Sequence, residues 1–110
     1  MKIRLDVAAR AELRRAVVWY EQQRPTLGED LVAAVKHALI EIERAPERWP
    51  TWRHEPRVRR YLLQRFPFAI AYIIRDGGPY VVAIAHTSRT ARHWLGRIEG
   101  TTKRPVRRRR

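Results

Sequence analysis

The hydrophobic period of this chain changes once, from 3.6 to 2, across the short connector at residues 46–56, and that change limits the folds open to it. Before the connector, two stretches carry apolar side chains at helical spacing. From Ala8 to about Gln23 the stripe is Leu13, Ala16, Val17 and Tyr20, and Arg24-Pro25 ends it. From about Gly28 to Arg44 it is Leu31, Val35, Ala38, Leu39 and Ile42. Glu29 and Asp30 suit the positive end of that helix dipole, and Pro46 stops the run. The spacing predicts a helical hairpin with two apolar stripes, and neither stripe can remain uncovered.

After the connector, which holds Trp49 and Trp52, the alternation is that of strands. Residues 58–65 set Arg59, Tyr61, Leu63 and Arg65 on one face, with Val58, Arg60, Leu62 and Gln64 on the other. Phe66-Pro67 breaks the run. Residues 68–75 place Phe68, Ile70, Tyr72 and Ile74 opposite Ala69, Ala71 and Ile73. After the turn Asp76-Gly77-Gly78-Pro79, residues 80–87 place Tyr80, Val82 and Ile84 opposite Val81, Ala83 and Ala85. Both faces are mostly apolar, so the sheet is expected to be covered on both sides, by the hairpin on one and by a partner or the C-terminal segment on the other. Lys2-Ile3-Arg4-Leu5 fits a short edge strand with Ile3 and Leu5 inward, and Asp6 can cap the helix after it. A last short helix or loop, residues 90–98, carries Trp94. The expected fold class is α+β, a helical hairpin on a small, mostly antiparallel sheet, in the order β-α-α-β-β-β.

Charge divides the chain again. The 110 residues carry a formal net charge of +13, with 45% hydrophobic residues, enough apolar material to exclude a wholly disordered basic chain. Six of those charges lie in the last ten residues, TTKRPVRRRR, and the other seven in residues 1–100. We therefore expect one domain over residues 1–100 and a disordered basic tail over 101–110. Beyond residue 52 the body carries Arg53, Arg57, Arg59, Arg60, Arg65, Arg75, Arg89, Arg92 and Arg97 against only Glu55, Asp76 and Glu99. With no cysteine, disulfides and thiolate metal sites are excluded. No apolar run approaches the roughly 20 residues of a membrane span, and the expected location is the cytoplasm.

Few enzymatic constellations fit. His37, His54, His86 and His93 are scattered, so no metal or other cofactor is expected. Ser88, the only serine, lacks a nucleophile elbow, and Gly77-Gly78 belongs to a turn, not a phosphate loop. The remaining cluster is Arg59, Arg60, Arg65, His86 and Arg89 at strand ends. Such a group could hold a nucleic-acid backbone, steady a phosphorane-like charge and move a proton through His86. The plain alternative is solvated strand arginines and a strand-end histidine. Trp94 suits packing or base stacking.

Residues 2 to about 98 resemble the RelE/ParE superfamily of bacterial toxin–antitoxin toxins, in its ParE branch. The resemblance rests on residues 9–20 with Leu13, Leu27-Gly28, and Pro46 with Trp49-Pro50. It continues through Val58-Arg59-Arg60-Tyr61-Leu62-Leu63, then Arg65-Phe66-Pro67-Phe68-Ala69-Ile70-Ala71-Tyr72, and Ala83-Ile84-Ala85-His86 with Arg89 and Trp94-x-x-Arg97. It implies the same β-α-α-β-β-β fold, a cognate acidic antitoxin forming a hetero-oligomer with the toxin, and one of two activities. ParE-like members poison DNA gyrase, and RelE-like members cut messenger RNA on the ribosome without a metal. The nuclease pattern implies an arginine where Ala69 stands, a second at Arg89, and a tyrosine near Trp94 or Leu95. Two of those three depart, which favours a gyrase poison without catalysis of its own.

The expected antitoxin- or target-binding residues are Arg59, Arg60, Arg65, Arg89, Trp94 and Arg97. The alternative, a ribosome-dependent endoribonuclease, would use Arg65, His86 and Arg89. A third reading is a nucleic-acid-binding module in which body and tail track phosphates.

Overall fold

The computed structural model describes residues 3–89 and 94–98. Strand β1 (Arg4–Leu5) leads into α1 (Val7–Gln23) and α2 (Leu27–Arg44), and the chain continues through β2 (Thr51–Trp52), β3 (Glu55–Leu62), β4 (Phe68–Arg75) and β5 (Gly78–His86). The sheet order is β1-β5-β4-β3-β2; β1 runs parallel to β5 and the other neighbours are antiparallel. The α+β class and the helical hairpin are as the periodicity implies, and β2, two residues long inside the stretch read as connector, is an addition to the expected order. Residues 94–98 are helical, while the tail at 101–110 lies outside the described residues.

Local chemistry accounts for the hairpin. The Asp6 carboxylate accepts from the Ala8 N–H at 3.0 Å and starts α1. At the other end, the Glu21 carboxylate accepts from the N–H groups of Thr26 and Gly28, each at 2.9 Å. A side chain in the last turn of α1 thus satisfies the start of α2, where Thr26, at φ 72°, offers no cap of its own. Leu31, Val35, Ala38 and Ile42 of α2 are buried, and α1 contributes Ala9, with Leu13, Ala16, Val17 and Tyr20 half-buried against the same core. These residues cover Ile70, Tyr72, Val81 and Ile84 on one face of the sheet. Ile3 and Leu5 also pack there.

The second face buries Val58, Ala71, Ile73, Val82 and Ala83 under Trp94 and Ile98. The C-terminal segment therefore supplies part of the cover that two apolar faces required. The period-two reading of β5 needs correction: Tyr80 and Val82 lie on this second face and Val81 on the hairpin face, together with Ile84. Opposite Ala71 and Tyr72 stand Ala83 and Val81, so Val82 is an extra residue in the ladder, and this bulge reverses the facing of everything before it. Strand β3 also begins and ends three residues earlier than the alternation over 58–65 suggested. Pro56 is tolerated because pairing with β4 begins only at Arg59. Leu63 N–H then donates to Phe68 C=O and closes the hairpin, leaving Gln64 and Arg65 in the loop. At the next turn Asp76 (φ 53°) and Gly77 (φ 81°) form the two-residue connection whose twist suits a tight hairpin, so Gly78 and Pro79 belong to β5.

Tyr72 ties the sheet to the connector. It is fully buried, and its hydroxyl donates to Pro46 C=O at 2.6 Å. Burial raises its phenol from 10.0 to about 12. The folded state favours the neutral phenol, so this stabilisation is intact below pH 10 and is lost as pH rises toward about 12. Within that window unfolding free energy should fall by up to about 1.4 kcal/mol per pH unit, and Tyr72→Phe should flatten the slope in alkaline denaturation monitored by circular dichroism. An unchanged slope in the variant would contradict this.

Candidate functional site

On the face away from the hairpin, the sheet carries a run of methyl groups. The pairs Ala69 with Ala85 and Ala71 with Ala83 lie directly across β4 and β5, and Arg60 stands opposite Ala71. Because these side chains are small, the floor lies low between taller neighbours and leaves a cleft of about 620 Å³. Trp52, Trp94 and Leu95 line it, together with Arg60, His86 and Arg89. Trp52 and Trp94 are tilted against one another with ring centroids 5.9 Å apart, and Trp52 also meets the His54 ring edge-on at 4.8 Å.

The turn after β5 sets the polar end of the cleft. Arg89 N–H donates to His86 C=O at 2.9 Å, and Ser88 N–H donates to His86 Nδ1 at 3.1 Å. With Nδ1 an acceptor, the neutral ring carries its proton on Nε2. The imidazole meets the Phe68 ring edge-on at 5.4 Å. Neither Arg60 nor Arg89 has a carboxylate partner among the described residues. The arrangement can attract anionic groups to an apolar floor, and it offers His86, whose Nδ1 is met by the Ser88 N–H and not by a carboxylate among the described residues.

Of the residues singled out from sequence, Arg60, His86, Arg89 and Trp94 are brought together here. Three others are not. Arg59 points to the hairpin face, where Nη1 donates to Glu47 C=O at 3.0 Å and to Trp49 C=O at 2.7 Å, holding the connector in place. Arg65 lies in the loop after β3, 3.5 Å from Asp30 of α2 and over the Phe66 ring at 5.2 Å. Arg97 pairs with Glu12 at 3.0 Å and donates to Val82 C=O at 2.9 Å. The Arg65, His86, Arg89 trio is therefore not assembled in one cleft: Arg65 is not among the residues lining it. Trp94 is 5% exposed, so it serves mainly as a wall.

Other positive charges are also occupied. Arg57 holds Glu55 through Nε at 2.8 Å, and this contact lowers the Glu55 carboxyl to about 2. Arg4 and Arg75 share Asp76. Sequence reasoning left out Trp52 and Glu12. The first could be suspected from its place beside the strands; the second gave no signal, because its partners lie 72 and 85 residues away. Among the described residues no three His, Asp or Glu side chains converge as a metal site, and no helix is long and apolar enough to cross a membrane.

The fold, a two-helix hairpin on a five-stranded mixed sheet, resembles that of a solved structure, the chromosomal ParDE TA system from P. aeruginosa. The likeness has a TM-score of 0.70 at 17% identity, over 78% of this chain and 95% of that one. No curated protein sequence matches the chain. The model of the family described as the ParE toxin of the type II toxin–antitoxin system, parDE, matches residues 3–91. The chain belongs to the ParE toxins.

Proposed function

We propose that this ParE toxin acts in the cytoplasm by inhibiting DNA gyrase through a protein contact made at the cleft of Arg60, His86, Arg89 and Trp94, and that an acidic antitoxin neutralises it. The observation that carries the reading is the composition of the cleft. Ala69, where the resemblance to the nucleases implies an arginine, is a methyl on the floor, and Trp94 or Leu95, where it implies a tyrosine, stands in the wall. That surface supports recognition of an acidic partner, with Arg60 and Arg89, which have no carboxylate partner among the described residues, beside an apolar floor. Proton transfer during phosphodiester cleavage would fall to His86 alone.

In a supercoiling assay with purified gyrase, excess free toxin is expected to inhibit, and Arg60→Glu with Arg89→Glu should weaken inhibition at least tenfold while thermal unfolding is unchanged. No inhibition by the unaltered toxin at excess would refute the reading. The presence of His86 and Arg89 at one rim favours the ribosome-dependent nuclease as the second reading. Primer extension on translated messages would then show cleavage that His86→Ala abolishes.

A further inference from the structure

We infer that the hollow between α1 and the end of β5 is a nucleotide site, with the base on Trp19 and the phosphate among Arg15, His86 and Arg89. The inference goes beyond the gyrase reading and does not depend on it. Glu12, Arg15, Ala16 and Trp19 stand at positions i, i+3, i+4 and i+7 of α1, so they share one face of the helix. Together with Ile84, Ala85 and His86 of β5 that face encloses about 420 Å³. Small-ligand sites span roughly 300–1,000 Å³. Ala16 and Ala85 leave the room, because each puts only a methyl group into the wall.

One end of the hollow is aromatic and fixed. Trp19 is 54% exposed, and Tyr20 meets its ring edge-on with centroids 4.9 Å apart. Tyr20 is itself held by Phe66 at 5.1 Å and Phe68 at 6.1 Å. An uncovered indole anchored in this way is a stacking platform for a base, since every base has a π face.

The other end is cationic. Arg15 and Arg89 are both exposed, and neither has a carboxylate partner among the described residues. Ser88 N–H occupies Nδ1 of His86, so the neutral ring presents Nε2–H as a donor. Glu12 is the one carboxylate lining the hollow, and Arg97 pairs with it at 3.0 Å. Two guanidinium forks and an imidazole N–H match the oxygens of a phosphate monoester, which such forks hold by paired hydrogen bonds. A purely acidic ligand would leave Trp19 uncovered, and a purely aromatic one would leave the guanidinium groups unmet. A nucleotide, free or at the 5′ end of a strand, satisfies both ends.

The test is calorimetric titration of the full chain with AMP, adenosine, ribose 5-phosphate and inorganic phosphate. AMP is expected to bind saturably below about 1 mM, and the other three at least tenfold more weakly, because each lacks one of the two held ends. Trp19→Ala should bring AMP down to the affinity of ribose 5-phosphate, Trp19→Phe should restore most of the difference, and Arg15→Gln should bring AMP toward adenosine. All three substitutions lie on the exposed surface of α1, and the thermal transition is expected to stay where it is. A 5′-phosphorylated tetranucleotide that binds more tightly than AMP assigns the site to a strand end, and one that binds more weakly assigns it to a free nucleotide; either supports the site. Equal affinity for AMP, ribose 5-phosphate and inorganic phosphate would mean charge attraction alone and would overturn the proposal. So would AMP binding that Arg60→Gln weakens and Trp19→Ala does not, because the ligand would then sit in the cleft on the other face of the sheet. Gyrase inhibition is measured without nucleotide ligands of this kind in a separate assay, so either result can fail while the other stands.

Discussion

Glu12→Ala is expected to lower the unfolding free energy by about 3 kcal/mol, the scale for removing one partner of a largely buried ion pair. The Glu12 and Arg97 side chains are only 10% and 20% exposed and meet at 3.0 Å. Removing the carboxylate leaves Arg97 without that partner and strands the Ile84 N–H at the edge of β5. The loss should extend to the second sheet face, since Arg97 belongs to the helical segment that lays Trp94 and Ile98 over Val82 and Ala83. Glu12→Gln keeps an acceptor for Ile84 N–H and should cost roughly half as much. Urea denaturation measures both, and a loss below about 1 kcal/mol for the alanine variant would show that the pair contributes little beyond its desolvation cost.

Gly28→Val should be comparably damaging, at about 3 kcal/mol, for a steric reason. A Cβ at residue 28 would lie 2.7 Å from Val17 C=O and 2.9 Å from Glu21 Oε1. The first of these is backbone and cannot move without shifting α1. The second belongs to the carboxylate that satisfies Thr26 and Gly28, so the side chain would push away the group that starts its own helix. Gly28→Ala should cost less, about 2 kcal/mol, because the two γ carbons are spared. Gly96→Ala is the control: its Cβ meets nothing within 4 Å, and alanine in a helix gains up to about 1 kcal/mol over glycine. A denaturation midpoint for Gly28→Val equal to that of the parent would show that the two helices can separate at no cost.

Local pattern carried far in the helical half. The stripes of α1 and α2 needed only their own spacing, Pro25 and Pro46 closed them, and Asp6 caps the first helix as its position suggested. Strand β4 was equally plain, because eight residues alternate between two breakers and both of its faces are apolar. The misplacement of β3 has a local cause that the pattern hides: Glu55 and Pro56 read as connector, yet Trp52 pairs with Glu55 and draws them into the sheet. The bulge at Val82 is hidden more completely. Tyr80, Val81, Val82 and Ala83 are all apolar, so either facing is chemically acceptable, and only the register against β4 selects one.

The candidate site divides along the same line. The sequence alone determined the fold class, the hairpin and the two apolar faces of the sheet. It also marked a concentration of arginine in the strand half that sets Arg60, His86 and Arg89 near strand ends. Periodicity and breakers act over a few residues, and those statements need nothing more. Which arginines are committed was decided only by the tertiary structure. Arg59 turns to the carbonyls of Glu47 and Trp49, Arg65 to Asp30, and Arg97 to Glu12, while Arg60 and Arg89 remain at the cleft. Identical side chains on one stretch of chain differ in what they do because their partners come from elements distant in sequence, and hydrogen-bond and charge partners are chosen by position in space.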